Sequence, residues 1–294
     1  MLDVRRLRLL RELALRGTIA AVADALAFSP SAVSQQLSAL EREAGVALLE
    51  RTGRSVALTP AGRGLVAHAE AVLARLEQAA ADLASAREGL RGQLRIGAFP
   101  SATRTILPGA LRTLAAAHPG LTPMVREVDP ADVGDALRAG ELEVALVHDY
   151  DFVPFPVEPG IRDEALCTEE MYLASVDGIA ELAGCRELPW IVASPGTRCH
   201  AMTIRACQAA GFTPDVRHRI DEFDTVLAFV AAGEGVALVP ELGAVRPPEG
   251  VRLRPVALRR RTRVAFRAGA RAHPAVRATI AALRGALPDQ ISPL

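Results

Sequence analysis

The sequence predicts three parts in order: an all-α N-terminal helix-turn-helix carrying a wing, one long linker helix, and an α/β C-terminal region built as two lobes. Three observations predict this. Within residues 30–45, Val33, Leu37, Leu40 and Ala44 recur as one apolar stripe of a helix, behind two shorter helical patterns. From 60 to 90 the apolar spacing becomes that of a coiled-coil seam. Beyond 91, short apolar runs alternate with amphipathic stretches, which is strand-helix-strand grammar.

The first helix is expected over 3–16, with Val4, Leu7, Leu10 and Ala14 on one face and Arg5, Arg8 and Arg11 on the other. Gly17 stops it, and Thr18 caps a second helix over 19–26. After a turn at Ala27-Phe28, Ser29 is an N-cap and Pro30 stands at N1, where its fixed φ helps and its missing N–H costs nothing. Gly45 ends this third helix. Its outer face carries Ser31, Ser34, Gln35 and Ser38, short polar side chains without charge. A solvated helix normally carries Glu and Arg pairs. This face suits a DNA major groove, where Gln bonds adenine through two hydrogen bonds and Ser serves base edges or phosphate. A soluble helix rich in Ser and Gln is the plainer alternative. Apolar runs at 47–49 and 56–58 flank a polar turn with Gly53, a β-hairpin. Its Arg51 and Arg54 suit a minor groove or phosphate, or are surface arginines without a partner.

Thr59 and Pro60 open the long helix. Leu65, Ala69, Val72, Leu76, Ala79, Leu83, Ala86 and Leu90 are spaced alternately by four and three. About 30 residues of helix span about 45 Å, too long for burial in a domain of some 60 residues. Pairing with a second copy explains the seam; a helix lying on its own C-terminal region is the alternative. Gly89 and Gly92 mark a boundary.

In the last part, strands are expected at 93–98, 122–128, 144–147, 170–175, 190–193, 216–220, 236–239, 252–256 and 263–267. Helices are expected at 101–118, 130–139, 198–211, 225–232 and 275–287. The alternation predicts parallel sheets with ligands at the carboxyl ends of strands.

Four segments of the N-terminal part carry a resemblance. Gly17-Thr18-Ile19-Ala20-Ala21-Val22-Ala23-Asp24-Ala25-Leu26, Ser34-Gln35-Gln36-Leu37 with Leu40-Glu41, Leu48-Leu49-Glu50-Arg51, and Leu58-Thr59-Pro60-Ala61-Gly62 resemble, in order, signatures of the LysR-type transcriptional regulators. Later, residues 233–240 (Gly-Glu-Gly-Val-Ala-Leu-Val-Pro) resemble a hallmark of that family's C-terminal domain. One departure matters: Ser29-Pro30-Ser31 stands where the family usually has Ser-Gln-Pro, so a relative's preferred DNA sequence does not transfer. The resemblance implies a winged helix-turn-helix DNA-binding domain over 1–59 and a dimerisation helix over 60–90. It further implies a periplasmic-binding-protein-like effector-binding domain over 91–294, with lobe I at about 91–165 and 265–290 and lobe II at about 166–260.

It also implies the partners: double-stranded DNA with an inverted-repeat site, a small polar metabolite as effector, a homodimer or homotetramer, and RNA polymerase as a candidate contact. DNA contact is expected from Ser31, Ala32, Ser34, Gln35, Ser38, Arg51 and Arg54. Effector contact is expected from Ser101, Thr103, Asp129, His148, Thr197 and Asp224, which follow strands or open helices. Ser101 and Thr197 are equally well placed as plain N-caps. Several of these positions are acidic, which points towards a ligand with an amino group, such as an amino acid.

Composition narrows the rest. The formal net charge is zero, but across residues 1–64 nine arginines face six acids, the sign that phosphate contact needs. All 34 basic residues are Arg, which excludes Walker A and Schiff-base lysine chemistry. No 18-residue apolar run or signal peptide is present, so a cytoplasmic protein with reduced Cys167, Cys185, Cys199 and Cys207 is expected. Cys199 and Cys207 sit eight apart on one helix, about 12 Å of rise, beyond the about 7 Å a disulfide spans. Neither enzymatic motifs nor metal-ligand spacings are found, and no cofactor is expected. A rival reading is a solute-binding or enzymatic α/β domain whose N-terminal region serves only association. Another is a regulator with a vestigial cleft.

Overall fold

Asp3 accepts hydrogen bonds from the backbone N–H groups of Arg5 and Arg6 and starts helix α1 (Val4–Arg16), which Gly17 ends at φ 75°. Thr18 caps α2 (Ile19–Leu26) by accepting from Ala21 N–H. Ser29 caps α3 (Pro30–Ala44) by accepting from Ala32 N–H at 3.2 Å, and Gly45 closes it. Leu10, Val22, Val33, Leu37 and Leu40 bury together as the core of this domain. Strands β1 (Leu49–Thr52) and β2 (Ser55–Leu58) pair antiparallel as the wing.

Glu41 on α3 accepts from the backbone N–H groups of Leu48 and Leu49 at 2.9 and 3.0 Å, tying the wing to the helix before it. Thr59 accepts from Gly62 N–H at 3.0 Å and donates to the Ala47 carbonyl, capping α4 (Pro60–Ser85). Gly62 lets α4 lie against the wing, since a Cβ there would collide with the Leu48 carbonyl oxygen. The computed structural model describes residues 1–52, 55–85, 89–156, 158–288 and 291–293, with backbone only at 51, 52, 55, 292 and 293. Arg54, expected at the wing tip, and Ala86 of the expected seam lie outside the described residues, as does the side chain of Arg51.

The linker helix serves two surfaces. Ala69 is buried in the N-terminal core with Leu7, Leu10 and Leu13, whereas further along Ala81 is buried and Glu77 pairs with Arg267 at 2.5 Å, so the helix rests first on its own N-terminal domain and then on the C-terminal one. Val72, Leu76 and Leu83 remain 39, 50 and 71% exposed, leaving the middle of the expected seam uncovered in a single chain.

The C-terminal domain continues with β3 (Gly92–Ala98), α5 (Pro100–Thr105), α6 (Leu107–Ala117), β4 (Leu121–Glu127), α7 (Val133–Ala139) and β5 (Val144–Tyr150). It proceeds through β6 (Ile161–Ser175), β7 (Pro189–Val192), α8 (Arg198–Ala209), β8 (Asp215–Arg219), α9 (Phe223–Ala231) and β9 (Ala237–Pro240). It ends with β10 (Arg252–Arg267), α10 (Pro274–Arg284) and β11 (Ser292–Pro293). Two lobes result. Lobe I packs α5, α6 and α10 on a core of Ile96, Leu114, Leu146, Phe266 and Leu283. Lobe II centres on Met171, Leu173, Trp190, Met202 and Leu238.

Three expectations need correction. The sheets are mixed rather than parallel: β3 pairs parallel with β4 and β5, and β7 with β8, but β10 runs antiparallel to β5 and β6, and β6 to β9. The reason is that β6 and β10 each run through both lobes, so every lobe borrows strands from the other half of the chain. Residues 252–256 and 263–267 are accordingly one strand, bent by a register shift between Val256 and Arg259. The helix expected at 101–118 is two, because Pro108 has no N–H to offer the carbonyl of Arg104 and the chain restarts at Leu107.

Candidate functional site

On α3 the apolar stripe packs inward, and this leaves Ser31, Ser34, Gln35 and Ser38 exposed in a patch with Ala32 half-buried beside them. Ser34, Gln35 and Ser38 make no side-chain hydrogen bond among the described residues, whereas Ser31 bonds the capping Ser29 at 3.0 Å. The neighbouring Gln36 accepts from Arg6 at 2.9 Å and is committed to holding α1. The free amide and hydroxyl groups thus share one face of a helix whose other face is locked in a core.

Between the lobes lies a cavity of about 400 Å³. Four of the six expected effector residues meet there: Ser101 opening α5, Asp129 after β4, His148 in β5 and Thr197 capping α8. The other two do not. Thr103 lies two residues beyond Ser101 on the same helix, on a different face, and donates to the Phe99 carbonyl at 3.2 Å. Asp224 turns away into an ion pair with Arg104 and lines a separate hollow with Thr105 and Leu242. His148 and Asp149 are part of β5 rather than following it, and Asp149 is engaged by Arg261 at 2.7 Å.

The cavity floor is held by a buried ion pair. Arg260, 1% exposed, donates Nε–H to Glu169 at 2.7 Å and Nη2–H to Ser101 Oγ at 3.0 Å, with its guanidinium over the Phe99 ring. Burial would lower the Arg260 pKa, but Glu169 outweighs it and holds the charge firmly. Ser101 is therefore a ligand candidate whose hydroxyl is already oriented.

His148 stands edge-on between Phe99 and Tyr150, with centroids 4.6 and 5.2 Å away. Burial, then the charges of Arg260 and Arg198, pull its pKa well below the ordinary histidine value, so the ring is neutral. His148 Nδ1 and Tyr150 OH are buried without a hydrogen-bond partner among the described residues. Arg198 donates to the carbonyls of His148, Val153 and Pro154 at 3.0, 2.9 and 2.6 Å and forms no ion pair with a carboxylate among the described residues. Thr197 caps α8 through His200 N–H at 3.2 Å, so the capping role expected as its alternative is real. Glu127, Asp129 and Glu222 supply carboxylates at the rim.

Arg260, Tyr150, Arg198 and Cys199 were not anticipated as cavity residues. The signal for Arg260 is weak but present: Leu258, Arg260, Thr262 and Val264 alternate as the buried face of β10, placing one arginine of a run inside.

Comparison with known proteins gives the family of both domains. Residues 4–63 match the family model described as bacterial regulatory helix-turn-helix protein, lysR family, and residues 87–288 match the LysR substrate binding domain. The HTH-type transcriptional regulator TfdS of Cupriavidus pinatubonensis (strain JMP 134 / LMG 1197) is 33% identical over 266 residues, covering 84% of this chain and 85% of that protein. A probable hydrogen peroxide-inducible genes activator of Mycobacterium leprae (strain TN) is 32% identical over 247 residues, covering 81% of this chain and 76% of that one. Among solved structures, a mutant of Corynebacterium glutamicum OxyR aligns with a TM-score of 0.58 at 25% identity, over 97% of this chain and 92% of that one. The matched relatives are transcriptional regulators rather than enzymes, and no described helix is long and apolar enough to cross a membrane. The chain thus belongs to the LysR family, as a DNA-binding transcriptional regulator with an effector-binding C-terminal domain.

Proposed function

We propose that the α3 face of Ser31, Ala32, Ser34, Gln35 and Ser38 reads base edges in a major groove. Arg51 and Arg54 of the wing, whose side chains lie outside the described residues, would contact flanking phosphate or minor groove. The observation that carries this reading is the exposed, uncharged patch on α3, where the side chains of Ser34, Gln35 and Ser38 have no hydrogen-bond partner among the described residues. A second copy joined along α4 would present the same face to the other half of an inverted repeat.

The cavity is the effector site in this reading, with Ser101, Asp129, His148 and Thr197 among its walls. One end offers the α8 N-terminus and the Arg198 charge, which favour a carboxylate; the rim offers Asp129 and Glu127, which favour an ammonium group. A volume of about 400 Å³ suits a molecule of amino-acid size. Peroxide chemistry, suggested by the names of some relatives, gets no support from the thiols. Burial pushes Cys199 up to about 11, opposed only in part by Arg260 and Tyr150, and Cys207 up to about 12. Both lie on the intact α8.

Footprinting on DNA upstream of the protein's own gene, at two salt concentrations, tests the DNA reading. A protected dyad is expected, and Gln35→Ala should lose about 1–3 kcal/mol of discrimination at one base pair per half-site. No protection at low salt would overturn it. A thermal-shift screen with the common amino acids tests the cavity reading, with loss of any shift expected in Asp129→Asn. No shift with any of them would remove the amino-acid assignment.

A further inference from the structure

The DNA-binding domain is clamped to lobe I of its own chain, and the clamp is the helix that leaves the effector cavity. The cavity wall at Val128, Asp129 and Pro130 runs directly into α7. That junction is stiff: Asp129 Oδ1 accepts from Ala131 N–H at 2.8 Å, and the Asp129 carbonyl accepts from Asp132 N–H at 2.9 Å. Helix α7 then spans about 10 Å and is seated by Val133, Ala136 and Leu137 on a core with Ala145, Val147 and Ala265.

The far end of α7 is held by α1. Arg8 donates Nη2–H to the carbonyls of Arg138 and Ala139 at 3.0 and 3.3 Å, the orphan acceptors of the last turn. Arg16 donates to Asp135 at 2.9 Å. Asp135 in turn accepts from Arg138 at 2.6 Å, and Arg138 also pairs with Glu158 at 2.9 Å. On the other side, Arg16 pairs at 3.0 Å with Glu12, which is 1% exposed and also accepts from Arg11 at 2.6 Å. The ladder is therefore continuous from lobe I into the helix that packs under α3. Burial tends to raise the Asp135 pKa, but hydrogen bonds from Arg138 and Arg16 prevail, and the carboxylate stays ionised.

We infer that α7 is the coupling element of this regulator: occupation of the cavity at Asp129 acts on the orientation of α1, and so of α3, within one chain. The inference rests on the cavity being the effector site. Coupling between two sites is reciprocal, so DNA must change effector affinity by the same factor that the effector changes DNA affinity, and it does so by altering the cavity wall even when the cavity is empty. This permits a test that needs no effector.

The experiment is hydrogen–deuterium exchange on the full chain, with and without a DNA duplex selected by the protein from random sequence. Amides of residues 127–139 are expected to change exchange rate about fivefold or more on DNA binding, the lower end of ordinary coupling. Arg8→Ala/Arg16→Ala should still bind the duplex but lose that response. Asp135→Asn, which leaves α1 untouched, should lose it as well and guards against a local defect in α1. An unchanged rate at 127–139 in the unaltered protein, or a response that survives in both variants, overturns the inference. Failure of the cavity reading shows separately, as a ligand-induced thermal shift that is the same in Asp129→Asn as in the unaltered protein while the exchange response persists.

Discussion

Ala27 is the one described residue other than glycine with positive φ, at 55°, where it closes α2 and turns the chain towards α3. A left-handed backbone costs an L-residue about 1–2 kcal/mol. Ala27→Gly should therefore raise the stability to urea by about 1 kcal/mol, less the entropy that glycine adds to the unfolded chain; no gain would mean that the turn is unstrained. His148 makes a second prediction. Its folded pKa lies well below the ordinary 6.5, so the unfolded chain takes up a proton that the folded chain refuses. Stability is then lost as pH falls below about 6.5, and His148→Gln should flatten the decline in Tm between neutral pH and mild acid. His273 is also held below its ordinary value, first by burial and then by Arg267, and contributes with the same sign, so the slope should shrink rather than vanish. An unchanged slope would place the titration elsewhere. At this scale the caps and helix stops were legible in the sequence, because Ser29, Thr18 and Gly45 act on backbone within four residues. The positive φ of Ala27 was not, since nothing in an Ala-Phe pair announces it.

At the scale of the element, the linker helix shows how one apolar stripe is covered only in part by its own chain. The heptad spacing marks the apolar positions, yet it does not tell Ala69, which is buried by its own chain, from Leu76, which is half exposed. In the proposed dimer joined along α4, Leu76→Glu should shift the protein to monomer in sedimentation while the far-UV spectrum of the chain is kept, because half of that side chain's surface stays open within one chain. A dimer that persists would shift the contact between copies to another surface. The α5–α6 break was equally hidden by pattern alone: the apolar period runs on past Pro108, and only the missing N–H interrupts it. Glu41 is a further case, because in the sequence it is part of a motif and in the structure it accepts two backbone N–H groups from the start of the wing.

For the whole molecule, local signals determined the N-terminal domain, the long helix and the alternation of strands and helices beyond it. Each depends on side chains close in sequence, so periodicity, caps and stops are sufficient to place them, and the helical face proposed to read DNA follows from the same stripe that builds its core. The cavity was half legible. Ser101, Asp129, His148 and Thr197 lie at strand ends and helix starts, which is a topological rule, whereas Thr103 and Asp224 satisfied the rule and were turned away by helix phase. What only the tertiary structure decided is long-range register. Arg260 faces Glu169 and Ser101 across separations of 91 and 159 residues, while its neighbours Arg259 and Arg261 reach carboxylates outside the floor. The hold of α1 on α7 is of the same kind, joining Arg16 to Asp135 across 119 residues. Such pairings depend on how two strands or two domains settle against each other, and the charges themselves carry no periodicity that announces the partner.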